Sequence, residues 1–314
     1  MKAIRFHGFG GPEVLRYEDV EQPTPGPGQV RIRVAATSFN DIDAAIRAGD
    51  LQARTPVRLP HVPGVDVTGT VDALGPGVDD VAVGDRVVGF LPVTEAGAAA
   101  EHVLAPAEVL TGAPRRTSLV ELAALPLVGL TAWQALFDHG GLTAGQRVLV
   151  HGADGAVGGY AVQLARARRA EVIAIAGPRD VPRIHGAGAD QVIDSTRTDV
   201  AAAVRGPVDL VLALAPVTAE QVAALIPLVR SGGVLVTTDV RVPAPSDTQR
   251  GVRGIDLVVR SDADQLADLV ARVSTGELLV DAARQVALAD LADLHVEAAH
   301  GRLPGKVVVL PAGD

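Results

Sequence analysis

The chain has no cysteine. Disulfides and thiolate zinc sites are therefore excluded, and a reducing compartment is allowed. It has no basic block either. Its 28 Lys and Arg stand against 37 Asp and Glu, and the net charge of −9 argues against nucleic acid as the main partner. Met1-Lys2-Ala3-Ile4-Arg5 opens no apolar leader, so no signal peptide is read there. The most apolar long segment, residues 123–137, is interrupted by Pro126 and Gly129. It falls short of the roughly 20 residues that a bilayer span needs. The eight histidines show no paired spacing, and no internal repeat or low-complexity linker occurs. A soluble, cytoplasmic protein is expected. With 314 residues, 48% of them apolar, there is material for two domains and a large core.

What is present is organised around residues 147–166. Arg147-Val148-Leu149-Val150-His151 is a short apolar run rich in β-branched residues and reads as a buried parallel strand. A helical pattern follows, with Val157, Ala161, Leu164 and Ala165 on one face. Between them Gly152, Gly155 and Gly158 form a G-x-x-G-x-x-G spacing that also contains Ala153, Ala156 and Val157. Gly152 allows a sharp turn, Gly155 leaves no side chain between backbone and a pyrophosphate, and Gly158 lets the helix lie close on the strand. The helix's free N–H groups and positive dipole end then face the anion. A second apolar run, Glu171-Val172-Ile173-Ala174-Ile175-Ala176, completes the strand–turn–helix–strand context of a dinucleotide site.

The end of the second strand selects the nucleotide. An NAD site places Asp or Glu there, roughly 20 residues past the glycines, on the ribose 2′-hydroxyl. Here the strand ends in Ala176-Gly177-Pro178-Arg179, with no acid at the tip, and Arg183 follows one helical turn later. A guanidinium takes a 2′-phosphate in a bidentate grip, so NADPH is the expected cofactor. Asp180, directly after Arg179, reads as a helix cap. Asp154 is discordant. A carboxylate in a pyrophosphate loop repels phosphate unless it points outward or is paired, and Asp154→Ala is expected to tighten NADPH binding.

Up to about residue 110 the chain reads as short strands broken by Gly and Pro turns, which suggests a barrel or sandwich. Val30-Arg31-Ile32-Arg33-Val34 alternates with period two, and residues 65–73 and 86–91 are further strand candidates. From about residue 118 helical patterns alternate with apolar strands at 147–151, 171–176, 191–194, 209–213 and 234–238, with a helix at 219–230. That is the rhythm of a doubly wound parallel sheet. Residues 255–260 add a strand. The tail holds a helix at 261–275, another about 288–300 and a strand at 306–310.

The glycine stretch resembles the zeta-crystallin-like quinone oxidoreductases of the medium-chain dehydrogenase/reductase superfamily. So do Phe39-Asn40-Asp41-Ile42-Asp43 with Arg47 and Gly49, Pro63-Gly64-Val65-Asp66-Val67-Thr68-Gly69-Thr70-Val71, and Gly84-Asp85-Arg86-Val87. The likeness extends to the small-residue-then-Glu step from Gly97 to Glu101, Leu130-Thr131-Ala132-Trp133, Gly188-Ala189-Asp190 and Gly305-Lys306-Val307-Val308. The resemblance implies an α/β protein. A GroES-like β-barrel domain (residues 1–117, completed by 276–314) would join a Rossmann doubly wound parallel-sheet domain (118–275). It also implies that residues 255–260 lie at the sheet edge, and an exposed edge strand is a ready pairing site, so a homodimer is expected.

Open α/β sheets bind ligands at the carboxyl ends of their strands. That rule nominates Ala213-Leu214-Ala215-Pro216 and Thr237-Thr238-Asp239 for the nicotinamide half of the cofactor, and Ser195 and Val258 complete the expected contacts. Zinc alcohol dehydrogenases share the architecture, but where they carry a Gly-His-Glu ligand motif this chain has Gly64-Val65-Asp66. Three protein ligands are needed for a catalytic zinc. His61 is expected to be a solvated loop side chain, and no metal is expected. Hydride donation from NADPH then suits an electron-poor acceptor, a quinone or an enone, because the added charge spreads into a conjugated oxygen. Asn40 is the first candidate for a hydrogen-bond donor to that oxygen, and Thr131, placed by resemblance near the nicotinamide, the second. Asp43 is expected to pair with Arg47 at i+4, either orienting the loop through that pair or forming a helix-face ion pair only. Tyr17 and Tyr160 are the only tyrosines, Tyr160 is expected to pack, and the proton is left to water. Ala99, where the family carries an aromatic residue, suggests a roomier substrate pocket. Two other readings stay open: an enoyl-thioester reductase of fatty-acid or polyketide type, and a cofactor-binding member without turnover.

Overall fold

The computed structural model describes residues 1–311 apart from Ser195, Thr198, Pro216, Val217, Val240 and Pro304. In chain order the first strands and helices are β1 (Lys2–Phe6), β2 (Leu15–Asp19), β3 (Gln29–Ser38), α1 (Asp41–Ala48), β4 (Asp66–Leu74), β5 (Arg86–Phe90), β6 (His102–Pro106), β7 (Leu110–Gly112) and α2 (Leu119–Leu122). There follow α3 (Pro126–Trp133), β8 (Arg147–His151), α4 (Ala156–Ala167), β9 (Glu171–Ala176), α5 (Val181–Gly186), β10 (Gln191–Asp194), α6 (Val200–Ala203), β11 (Val208–Ala213), α7 (Ala219–Ala223), β12 (Val229–Thr237) and β13 (Arg253–Asp256). The chain ends with α8 (Ala263–Thr275), β14 (Arg284–Ala287), α9 (Leu291–Ala299) and β15 (Val307–Leu310).

The chain forms two compact units, residues 1–127 with 261–314, and residues 128–260. The division falls inside α3 and just before α8, not at 117/118 and 275/276. The reason is packing: α2 lies on β3 and β4, and α8 lies on β7, so both helices belong with the barrel strands.

In the first unit β3 is the organising strand. Antiparallel ladders join it to β4, β6 and β15. Its alternation buries Val30, Ile32 and Val34 against Val67, Val71, Val87 and Val103. The C-terminal strand β15 returns to this sheet, with Val308 opposite Ser38, and brings β14 beside it. A second cluster, including Ile4, Phe6, Phe39, Ile46, Leu291, Leu294, Val307 and Val309, closes the other side of that sheet.

In the second unit all strands run parallel in the order β10-β9-β8-β11-β12-β13. Strands at 147–151, 171–176 and 191–194 coincide with β8, β9 and β10. β12 begins five residues earlier than its apolar run, at Val229, and the helix expected at 219–230 stops at Ala223. Pro227 lies in a separate short 3-10 turn, Ile226–Leu228, because proline lacks the N–H that would continue an α-helix. The strand expected at 255–260 is instead β13, which pairs Arg253–Asp256 with β12. No helix among the described residues is long and apolar enough to cross a membrane.

Candidate active site

The parallel sheet puts the ends of β8, β9, β11 and β12 along one edge. Gly152 follows β8 with φ 88°, a left-handed conformation that a side chain disfavours, and a Cβ there would lie 2.6 Å from the Ala215 nitrogen. The turn is stitched to both neighbours: Ala153 N donates to the Ile175 carbonyl at 3.0 Å, and Leu214 N to the His151 carbonyl at 2.9 Å. Gly158 packs against the turn, since a Cβ on it would stand 2.1 Å from the Gly152 oxygen. Gly155 is different. An added Cβ would touch only the Gly152 oxygen, at 3.4 Å, so the space above it is open. Gly155 precedes α4, whose first N–H groups at Ala156, Val157 and Gly158 have no intrahelical acceptor. Open space over a glycine beside unpaired amides is the cradle that a pyrophosphate requires, so these residues fit a dinucleotide.

At the β9 tip the structure adds what the spacing did not contain. Asp154 Oδ2 accepts from Gly177 N at 2.8 Å. Arg183 Nη2 donates to the Asp154 carbonyl at 2.9 Å, and its Nε to Asp180 Oδ1 at 3.0 Å. Contrary to the expectation of a helix cap, the Asp180 side chain makes no capping hydrogen bond to α5; its backbone is already helical and its carboxylate turns to Arg183. Arg179 is exposed, and its guanidinium donates no hydrogen bond to and forms no ion pair with the described residues. Thr237 is buried at the end of β12 and its Oγ1 accepts from Asp239 N at 3.2 Å, while Thr238 and Ala215 are half-buried. Val258, past the end of β13, is 75% exposed. Thr131 is buried on α3, and Tyr160 is buried on α4. Ser195, a further expected contact, and Pro216 lie outside the described residues.

The first unit holds a buried polar cluster. Asp66, fully buried on β4, accepts from Ser38 Oγ, from Asn40 Nδ2 at 2.9 Å, and from Leu127 N at 2.8 Å where α3 begins. Lys306 Nζ is buried beside it, 3.4 Å from Asp66 Oδ2, and donates to the Asn40 Oδ1 and to the Phe39 carbonyl. Burial pushes the Lys306 ammonium below its ordinary range, and the Asp66 charge opposes that shift. The Asn40 carboxamide is thus oriented from both ends; its weakest contact is Nδ2 to the Ser38 carbonyl at 3.4 Å.

Asp43 does not pair with Arg47. Its two oxygens accept from Gly64 N at 2.9 Å and Asn40 N at 3.0 Å, so it orients the loop. Burial with no cation in contact raises its carboxyl to about 7. Arg47 instead donates to the Gly10 carbonyl and to His295 Nδ1. His61 is not solvated: its ring is buried 5.3 Å from that of Phe6, and burial lowers it to about 4. Among the described residues no three His, Asp or Glu side chains converge as a metal site. Ala99 opens no pocket, because it packs in the core with Ile4 and Phe6 and its amide donates to the Pro63 carbonyl. The small residues before Glu101 admit the 62–64 corner, where Gly64 stands at φ 100°. The Glu101 carboxylate accepts from Lys2 N and ties down β1.

Comparison with known proteins places this geometry. Residues 26–115 match the alcohol dehydrogenase GroES-like domain, and residues 187–309 the zinc-binding dehydrogenase domain. A chloroplast envelope quinone oxidoreductase homolog of Arabidopsis thaliana is 37% identical over 66% of this chain, which spans 64% of that relative's length. The quinone oxidoreductase of Mus musculus is 32% identical over 99% of this chain and 98% of its own. The quinone oxidoreductase structure from Coxiella burnetii superposes with a TM-score of 0.89 at 30% identity, over 99% of both chains. With nearly full-length similarity above that level and the same pair of domains, the chain belongs to the quinone oxidoreductase family of the medium-chain dehydrogenase/reductase superfamily.

Proposed function

We propose that this protein is a zinc-independent oxidoreductase that reduces a quinone or an α,β-unsaturated carbonyl with NADPH. The observation that carries the reading is the open cradle at Gly155, beneath the unpaired amides of α4, in a chain whose full-length relative is named a quinone oxidoreductase. Gly152, Ala153, Gly155, Ala156, Val157 and Gly158 hold the pyrophosphate. Gly177, Arg179 and Arg183 meet the ribose end, and Ala215, Thr237, Thr238 and Val258 the remainder; Ser195 joins them in the proposal. The bound nucleotide supplies a hydride.

The chain's own residues orient and stabilise. Charge grows on the acceptor's conjugated oxygen as the two electrons arrive, and a donor aimed there lowers the barrier. The second Asn40 Nδ2 hydrogen serves this role by giving up its long contact to Ser38, while Lys306 and Asp66 keep the carboxamide from turning. Thr131 is the second donor. Water returns the proton. Three observations support independence from zinc: no cysteine is available, Asp66 is enclosed by four donors, and His61 is packed against Phe6. In this reading the protein is cytoplasmic and dimerises along β13, the outer strand of its sheet.

The test is NADPH absorbance followed with a panel of quinones, enones and enoyl thioesters. Turnover with quinones or enones is expected. Turnover confined to enoyl thioesters favours a thioester reductase, and no turnover with any acceptor despite tight nucleotide binding would leave a non-catalytic family member.

A further inference from the structure

The β9 tip lacks the acid that reads a ribose 2′-hydroxyl, yet a carboxylate stands there. It comes from the glycine turn. Asp154 Oδ2 accepts from the amide of Gly177, the first residue after β9, at 2.8 Å, and an added Cβ on Gly177 would lie 3.4 Å from that same oxygen. Asp154 Oδ1 accepts no hydrogen bond from the described residues. A neighbouring cation is already engaged: Arg183 donates to the Asp154 carbonyl and pairs with Asp180 at 2.9 Å. The site for the ribose substituent therefore presents two carboxylates beside one engaged guanidinium and the free Arg179.

We propose that Asp154 is a specificity-determining residue at the ribose 2′ position, whose carboxylate limits how strongly this NADPH-using site prefers a 2′-phosphate over a hydroxyl. A carboxylate accepts from a hydroxyl, but it repels a phosphate carrying close to two negative charges. This goes further than general repulsion of the nucleotide. A charge acting on the pyrophosphate weakens NADH and NADPH alike, whereas a charge at the 2′ position weakens NADPH alone. The inference rests on the reading that a nicotinamide nucleotide docks on the glycine turn.

The test measures dissociation constants for NADH and NADPH by fluorescence titration of wild type, Asp154→Asn and Asp154→Ala, at low and high salt. Asn keeps an oxygen for the Gly177 amide and removes the charge. The expected result is NADPH binding tightened by about fivefold to tenfold in Asp154→Asn, with NADH unchanged or weaker, and a gain that shrinks as salt rises. Asp154→Ala should share the NADPH gain, offset by the freed tip. Equal tightening of both nucleotides, or an unchanged NADPH to NADH ratio in both variants, would overturn the inference while leaving the docking reading intact. Absence of binding by either nucleotide to all three proteins would overturn the docking reading, and the inference with it.

Discussion

The ammonium of Lys306, one residue before the last strand, donates to the carboxamide oxygen of Asn40, 266 residues earlier in the chain. The nitrogen of that carboxamide donates to Asp66, and Asp66 also accepts from the first turn of α3, which carries Thr131 one helical turn beyond Leu127. A buried cation therefore keeps one carboxylate and one carboxamide in fixed orientation.

Lys306→Met should lower stability by about 3–5 kcal/mol, because it leaves Asp66 buried without its counter-ion. Urea denaturation with an unchanged slope and a lower midpoint would register the loss. Adding Asp66→Asn removes the stranded charge and should restore most of it. A single variant within about 0.5 kcal/mol of wild type would mean the pair contributes little.

Asn40→Ala should reduce kcat/KM for quinones by about 100-fold, the usual loss of one oxyanion donor, with the NADPH dissociation constant unchanged. If kcat/KM stays within about threefold, the donor is another group.

Gly155 and Gly158 should separate binding from folding. Gly155→Val meets open space at an ordinary φ of −76°, so its stability should remain within about 0.5 kcal/mol, while nucleotide affinity falls at least about tenfold as the cradle fills. Gly158→Ala gains about 1 kcal/mol of helix propensity but drives a methyl to 2.1 Å from the Gly152 oxygen; overpacking of about 1–3 kcal/mol wins, and both stability and binding should drop. Thermal melts beside nucleotide titrations read the two effects.

Stability should fall below about pH 6.5. His61 is lowered from 6.5 to about 4 by burial, and His295 to about 3 by burial and then the Arg47 charge. The unfolded chain takes up these protons first, so the stabilisation is complete above 6.5 and is lost as pH drops through the folded values. For His61 the total is about 3 kcal/mol at most. Asp43 runs the other way: raised from 3.8 to about 7, its contribution is complete below 3.8 and is lost as pH rises through 7. Urea midpoints from pH 4 to 8 should show a His61→Phe variant with a flatter acid limb; a limb as steep as that of wild type would count against the assignment.

The glycine turn was legible because its requirements are local. Gly152 needs a left-handed φ and Gly158 a missing side chain, and both follow from spacing between a strand and a helix. The buried strands β8 and β9 were equally plain, since parallel strands covered on both faces read as apolar runs. Less legible was β12, whose first half, Val229-Arg230-Ser231-Gly232-Gly233, carries no such run; it meets β11 only at Val229, and the register shifts before pairing resumes at Val234. The Asp43–Arg47 pairing failed for a related reason. Helical spacing puts two side chains within reach, but Gly64 and His295 come from distant elements and took each of them first.

By itself the sequence determined which segments turn, which are covered on both faces, and that a glycine-spaced turn joins β8 to α4. Those properties depend on the conformational range and hydropathy of a few adjacent residues. Only the tertiary structure decided the partners of the buried charges: Lys306 with Asn40 and Asp66, Arg47 with His295, and Asp154 with the Gly177 amide. A buried polar group must find a partner wherever packing supplies one, and packing joins elements that no local pattern relates.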